Sequence, residues 1–295
     1  MSSYKVLLFY KYVNLDRPEQ IMDEHLQWCL SHDIKGRVFL AKEGVNGTVS
    51  AANENIEQYK KQLTGYPVFS DIRFKEDDVD EHAFKKMHVR LKKEIVNGDF
   101  QDVSVENGGK RLTPEELLKF YEEGKDFLIV DARNWYESKI GRFKNAITPP
   151  MKNFREWKKV VNELKDYKNK TVVTYCTGGI RCEKASAYLI EHGFKDVYQL
   201  DGGIFNFIKK YPDTYWEGGM FVFDERRVIN PNTKEGLKHI AGCYFCGKPT
   251  SYYINCHNVD CDKIIVSCHD CKVENEYCCS EECRESKNKR KTLHG

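Results

Sequence analysis

The chain opens with apolar runs that alternate with amphipathic ones. Val6 to Tyr10 is short, apolar and flanked by lysines, which predicts a strand. Pro18 to Leu30 has helical spacing, with Asp16 as candidate N-cap and Pro18 in the first turn. Gly36 to Ala41 and Val45 to Ser50 predict two strands joined by a hairpin-like Lys42-Glu43-Gly44. Glu54 to Leu63 predicts a second helix, Ile72 to Lys75 a fourth strand, and Met87 to Ile95 a fifth. Asn97 to Gly109 carries glycines and acids and reads as a linker. Thr113-Pro114-Glu115-Glu116 then looks like a capped helix start. Helices and strands alternate from there to about Lys210, which implies a parallel sheet with helices on both faces.

The first six elements run β-α-β-β-α-β, the order of a ferredoxin-like unit. The expected architecture is α/β throughout. It comprises a ferredoxin-like (acylphosphatase-like) domain at 1–96, a linker at 97–112 and a parallel-sheet domain at 113–211. A connector at 212–242 and a cysteine-rich region with a basic tail at 243–295 complete it. The connector holds Gly218-Gly219 and the apolar run Met220 to Phe223, and its length implies packing against the central domain. Gly44-Val45-Asn46-Gly47-Thr48 reads as a turn with residues at positive φ.

A chain of 295 residues accommodates two or three domains. It has no run of about 18 apolar residues, so no membrane span is expected. The start, MSSYKVLLFYKYV, enters a strand at once and lacks a signal-peptide pattern, so the expected location is the cytoplasm. Net charge is +2, from 47 basic and 45 acidic residues, which neither demands nor excludes nucleic acid. Lys85, Lys86, Arg90, Lys92 and Lys93 cluster around the fifth strand, and Arg284, Lys287, Lys289, Arg290 and Lys291 form a basic tail. Each group reads first as solvated surface. Together they permit a polyanionic partner, with the first group as candidate RNA-binding residues.

The most chemical segment is TVVTYCTGGIRCEKASAYL. Val172 to Tyr175 predicts a buried strand, Thr177 to Arg181 a tight glycine-bearing loop, and Cys182 to Leu189 a helix. Cys176 therefore sits between a strand end and a helix start. The N–H groups of Thr177, Gly178, Gly179 and Ile180 can converge there as an anion-binding nest. The helix dipole and Arg181 add positive potential, and all of these lower a thiol's pKa. Most free cysteines are buried packing residues. A packing cysteine needs no such loop, so Cys176 and Arg181 are the candidate catalytic pair, with Cys182 as a candidate second thiol.

This run resembles the active-site loop of rhodanese-type sulfurtransferases. Phe127 to Arg133, ending Asp131-Ala132-Arg133, resembles the rhodanese strand with Asp-x-Arg. Tyr136-Glu137, Gly141-Arg142-Phe143 and Asn145-Ala146-Ile147 follow as in that family. Val197 to Ile204 resembles its late strand and Gly-Gly turn, with a helix near Phe205 to Lys210. Related phosphatases carry a loop one residue longer. Cys176-x4-Arg181 suits a sulfur atom better than a phosphoryl group, and Tyr175 stands where a phosphatase often has histidine.

Nine of the twelve cysteines fall between Cys243 and Cys283. They form the pairs Cys243-x2-Cys246, Cys256-x4-Cys261, Cys268-x2-Cys271 and Cys279-x3-Cys283, with Cys278 as a spare. Such knuckles aim two thiolates at one ion, so four pairs predict two structural zinc sites. Interleaving, first pair with third and second with fourth, is one pairing; spacing alone leaves the others open. His257 and His269 are substitute ligands, though solvated loop histidines is the plainer reading. Iron–sulfur is the rival for four-cysteine sites. Ser280 is positioned to cap a short final helix.

The three-part order resembles the rhodanese-type tRNA uridine hydroxylases over essentially the whole chain, with CTGGIRCEKAS and Cys278-Cys279-Ser280 as its specific parts. The resemblance implies oxygen-dependent conversion of the wobble uridine to 5-hydroxyuridine. Molecular oxygen is then co-substrate and the tRNA anticodon loop the partner. No flavin, haem or two-His-one-carboxylate pattern is present, and no electron donor is legible. One way to reconcile the loop with hydroxylation is addition of the Cys176 thiolate to C6 of uridine, which makes C5 nucleophilic toward an oxidant. A persulfide-forming, thiosulfate-type sulfurtransferase is the alternative that the loop suggests directly. A non-catalytic RNA- or protein-binding module is a third.

Overall fold

The computed structural model describes residues 3–100, 103–231 and 234–291. The first two residues of the opening segment, Gln101 and Asp102 of the linker, Asn232 and Thr233 of the connector, and 292–295 of the tail lie outside the described residues.

The N-terminal unit comprises β1 (Tyr4–Tyr12), α1 (Pro18–Ser31), β2 (Lys35–Ala41), β3 (Gly44–Ala52), α2 (Asn53–Thr64), β4 (Arg73–Val79) and β5 (Met87–Leu91). The sheet order is β4-β1-β3-β2-β5. Its first four strands are antiparallel neighbours, and β5 adds parallel to β2. This is the ferredoxin-like arrangement with one extra edge strand. Side chains alternate across a strand. Leu7, Phe9, Val38, Leu40, Val45 and Val49 therefore share one face and pack with Cys29, Tyr59 and Leu63 of α1 and α2. Each such burial contributes roughly 1.5–3 kcal/mol. The opposite face carries Leu8, Tyr10, Arg37, Phe39, Asn46, Thr48 and Lys75, by the same register.

Three details differ from the sequence reading. The N-cap of α1 is Arg17, not Asp16, and no side chain caps it. Pro18, lacking an N–H, removes one of the donors a cap would satisfy. Gly44 to Thr48 is strand, not turn; the reversal is confined to Lys42 and Glu43. Gly47 pairs with Phe9, and a Cβ there would lie 2.3 Å from the Phe9 ring, so its glycine serves close packing. The fifth strand stops at Leu91, four residues before the expected Ile95.

The central unit begins with β6 (Lys110–Leu112), α3 (Pro114–Glu122), β7 (Phe127–Asp131), α4 (Trp135–Ile140) and β8 (Gly141–Phe143). It continues with α5 (Trp157–Glu163), β9 (Thr171–Tyr175), α6 (Ile180–Glu191), β10 (Asp196–Leu200) and α7 (Gly203–Lys210). Thr113 and Glu116 form a reciprocal capping box at the start of α3. The sheet order β6-β10-β9-β7 is parallel throughout. One face packs with Trp157, Val160, Ala185 and Leu189; the other packs with Leu117, Ile204 and Phe207.

The connector folds onto this unit. Its β11 (Trp216–Gly218) pairs with β8, setting Trp216 edge-on to Phe143 at 5.1 Å. A short hairpin follows, β12 (Met220–Phe221) with β13 (Val228–Ile229). The cysteine-rich region contains the hairpin β14 (Tyr253–Asn255) and β15 (Ile264–Val266), then α8 (His269–Glu274) and α9 (Glu281–Glu285). Ser280 caps α9, its Oγ accepting from the Cys283 N–H. No helix among the described residues is long and apolar enough to cross a membrane.

Candidate active site

Cys176 follows β9, an interior strand of the parallel sheet, and is fully buried. The loop after it is shorter than the sequence suggests. Ile180 already begins α6, so Arg181 and Cys182 lie in its first turn. Gly179 is the N-cap at φ +100°, a conformation open to glycine. Its N–H donates to Cys176 Sγ at 3.2 Å. The start of α7 holds the loop from the other side: Ile204 N–H donates to Cys176 O and Phe205 N–H to Thr177 O, both at 3.0 Å.

Burial by itself raises a thiol's pKa. The Cys182 thiol, the Arg181 charge and the Arg181 and Gly179 N–H groups outweigh it, bringing Cys176 from 9.0 to about 6. Burial and the bond to Cys176 push Cys182 well above 9.0. Near neutral pH, Cys176 is thus the thiolate and Cys182 its protonated donor.

Arg181 is not a free cation. Its Nη1 and Nη2 donate to Glu137 Oε1 and Oε2 at 2.7 and 2.8 Å. Glu137 is fully buried on α4, yet Arg181 and Arg133 hold its carboxyl below 4.5 despite that burial. Below this lies a second fork: Arg133 Nε and Nη2 donate to Asp131 at 2.9 and 2.6 Å. Tyr175 Oη donates to the same carboxylate at 2.7 Å. Asp131, Arg133 and Tyr175 therefore brace the strand ends beneath the loop. In the sequence, Glu137 is marked only by its place in the rhodanese-like Tyr136-Glu137 pair.

The thiolate faces a cavity of about 990 Å³. One wall is the 177–181 loop; the other is the open face of the N-terminal sheet, with Leu8, Tyr10, Phe39 and Lys75. The two units are locked beside it. Tyr10 Oη donates to Glu183 Oε1 at 2.8 Å, and Arg111 Nη2 donates to the same atom at 2.7 Å. Lys184, only 2% exposed, reaches Glu43 at 2.8 Å and Glu94 at 3.8 Å. One sequence signal pointed this way: β1 carries large apolar and aromatic side chains on both faces, so both faces needed cover.

The basic cluster divides. Lys92 and Lys93 line the cavity beside Arg37 and Arg155, with Lys92 Nζ over the Phe39 ring at 5.6 Å. Arg90 shares the sheet face of Phe39 by register. Lys85 and Lys86 are exposed before β5 and do not line the cavity; Lys85 pairs with Glu225 at 3.8 Å.

Among the described residues the tail cysteines gather into two groups: Cys243, Cys246, Cys268 and Cys271, and Cys256, Cys261, Cys279 and Cys283. Within each group the sulfurs lie within 4.8 Å of one another. Cys246–Cys268, Cys261–Cys279 and Cys279–Cys283 are 3.8, 3.6 and 3.8 Å apart. That separation matches the edge of a tetrahedron with metal–sulfur bonds of about 2.3 Å. Each group can hold a metal ion. Cys278 is buried outside both, and neither His257 nor His269 joins one. The region abuts the active site through α4: Tyr136 packs against Tyr253 and Phe221, one residue from Glu137.

Three family models match successive parts of the chain: UPF0176 acylphosphatase like domain at 4–95, Rhodanese-like domain at 113–210 and Rhodanase C-terminal at 217–284. A protein of Acholeplasma laidlawii named tRNA uridine(34) hydroxylase is 43% identical over 295 residues, covering 98% of this chain and 92% of that one. A protein of the same name from Staphylococcus aureus is 44% identical over 296 residues, with the same coverage. A crystal structure of a rhodanese-like domain protein from Staphylococcus aureus matches 33% of this chain and 90% of that one, at 29% identity and TM-score 0.29. Similarity of this extent, through all three parts of the chain, makes it a member of the tRNA uridine(34) hydroxylase family.

Proposed function

We propose that this protein hydroxylates uridine 34 of tRNA at C5, with Cys176 as the reacting thiol and dioxygen as co-substrate. The observation that carries this reading is the placement of a low-pKa thiolate against a cavity roomy enough for a nucleotide, in a chain similar over 98% of its length to proteins so named. A base within a duplex is stacked and paired, so its C5 and C6 are not free to meet Cys176. A splayed base from the single-stranded anticodon loop suits the cavity, as RNA-modifying and base-reading proteins generally require. The thiolate adds to C6, and the C5=C6 electron pair moves onto C5 and O4. C5 then accepts one oxygen atom of O2; the other leaves as water, taking two electrons from an external two-electron donor and two protons. Loss of the C5 proton and of Cys176 restores the ring. Arg181, held by Glu137, and the loop N–H groups keep Cys176 ionised before the addition.

Two structural zinc ions are the reading we favour for the cysteine groups, because closed four-thiolate sites on short knuckles suit Zn(II). Cysteine pairs kept as thiols fit a cytoplasmic protein. The direct test is mass spectrometry of tRNA nucleosides from a deletion strain. Loss of 5-hydroxyuridine or its derivatives, restored by wild type and not by Cys176→Ser, supports the reading. Loss of a thiolated nucleoside instead would make the protein a sulfurtransferase.

A further inference from the structure

Lys75 is a charged group of the Cys176 cavity that the hydroxylation scheme above does not use. It projects from β4 on the cavity face, in register with Leu8. Its Nζ lies over the Tyr10 ring at 5.1 Å. Tyr10 in turn lies against the loop, where a Cβ on Gly179 would be 3.0 Å from its hydroxyl. A lysine that packs its stem on an aromatic ring commonly serves only to cover apolar surface. That reading predicts a head group in bulk water or on a carboxylate. Lys75 is half-buried, its head group lies over Tyr10 inside the cavity, and among the described residues no carboxylate pairs with it.

Every nearby acid is committed elsewhere. Glu76 pairs with Lys5 and Lys60. Asp77 pairs with Arg226 at 2.6 Å. Asp201 takes Arg111 at 3.2 Å, and Glu183 takes Arg111, Tyr10 and Gln199. Among the described residues no hydrogen bond or ion pair reaches Lys75 Nζ. Burial lowers its pKa from 10.5, while the charges of Cys176, Asp201 and Glu183 partly restore it. Arg181 differs, since its charge is matched by the Glu137 carboxylate. A second polar group in the same cavity is also unpartnered: Thr177 Oγ1 is buried and has no hydrogen-bond partner among the described residues.

We propose that Lys75 is the anion-receiving group of this site, holding the O4 oxygen of the reacting pyrimidine as it becomes negative. This rests on the tRNA reading. The step is an addition: the Sγ–C6 bond forms, the C5=C6 π pair moves through C4 onto O4, and no group leaves. The Lys75 ammonium faces the new enolate and stabilises it as an oxyanion hole does.

Alkylation of Cys176 tests the receptor without substrate. The ratio of its rates with anionic iodoacetate and neutral iodoacetamide, at one pH, cancels the thiolate fraction. In wild type the ratio is raised by the cation. In Lys75→Met it should fall about fivefold, in line with one close unit charge in a partly dry site. Lys75→Arg should preserve it, and Lys92→Met, over the Phe39 ring of the same cavity, should change it less. Lys75→Gln replaces Lys75→Met if the latter does not fold. The same variants are then expressed in a deletion strain, and their tRNA is scored for 5-hydroxyuridine and for binding to purified protein. Loss of the modification with tRNA affinity retained supports the enolate role. An unchanged alkylation ratio in Lys75→Met overturns the inference, whatever happens to tRNA. A lowered ratio with full modification overturns the enolate role. A lowered ratio in a protein whose wild type makes no 5-hydroxyuridine keeps Lys75 as an anion receptor and removes the tRNA reading instead.

Discussion

Arg181 and Glu137 form a two-bond fork at 2.7 and 2.8 Å with both side chains buried. The loop arginine is therefore a held group whose charge is balanced within the protein. Removing one partner leaves the other buried and unpaired, which costs roughly 3–5 kcal/mol. Glu137→Gln should lower Tm by several degrees. It should also depress the Cys176 pKa further, because the Arg181 charge is then uncompensated. Thermal melting and the pH dependence of Cys176 alkylation measure the two effects, and a pKa that rises would contradict this electrostatic account.

Cys176 should react with iodoacetamide along a titration centred near pH 6. The sign follows from the shift: the folded pKa lies below the ordinary 9.0, so the thiolate dominates at pH 7 and is lost as pH falls through about 6. Cys182→Ala removes a hydrogen-bond donor to that thiolate and should move the midpoint upward while leaving activity measurable. Cys176→Ser should abolish activity with the fold intact. An active Cys176→Ser beside a dead Cys182→Ala would reverse the roles of the two thiols.

Metal analysis should find two zinc ions per chain, one for each four-cysteine group. Cys271→Ser should lose about one ion, whereas Cys278→Ala, outside both groups, should keep two. Chelation should also reach the active site, since Tyr253 of this region packs on Tyr136 of α4 beside Glu137. The expected sign is a loss of Cys176 reactivity at pH 7. Iron in place of zinc, with visible charge-transfer absorption, would replace the assignment.

Lys184→Met removes the buried ammonium that joins Glu43 and Glu94 to α6. Unpaired acids at that seam should cost about 1–3 kcal/mol. The consequence is local: the N-terminal unit loosens from the central one, and the 97–109 segment becomes easier to cleave. Limited proteolysis at equal Tm-corrected temperature is the measurement. Wild-type cleavage rates in the variant would show that the Tyr10–Glu183 bond and the connector suffice.

Charge reversal separates the basic cluster. Lys92→Glu with Lys93→Glu should weaken tRNA binding and reduce its salt slope by about one for each phosphate no longer neutralised. Lys85→Glu with Lys86→Glu should do less, because those side chains stand away from the cavity. Equal effects from the two double variants would return the whole cluster to the interface.

What was legible in the chain is what short-range chemistry fixes. Cys176, Gly179 and Arg181 lie within one strand–loop–helix turn, so their spacing dictates that the thiol meets an N–H and a cation. The cysteine knuckles are equally local, and even their interleaving follows one of the simple pairings. Period-two alternation placed Leu7 and Phe9 under the helices. The site's other half comes from contacts no spacing encodes: Tyr10 meets Glu183 173 residues away, and Lys184 meets Glu43 across 141. A strand with large side chains on both faces must be covered twice, but alternation does not say by what. Packing decided that the second cover would be the Cys176 loop. Tertiary packing also paired Arg181 with Glu137, set Lys92 and Lys93 on the cavity while Lys85 and Lys86 stand off it, and left Lys75 in the Cys176 cavity with its neighbouring carboxylates already engaged.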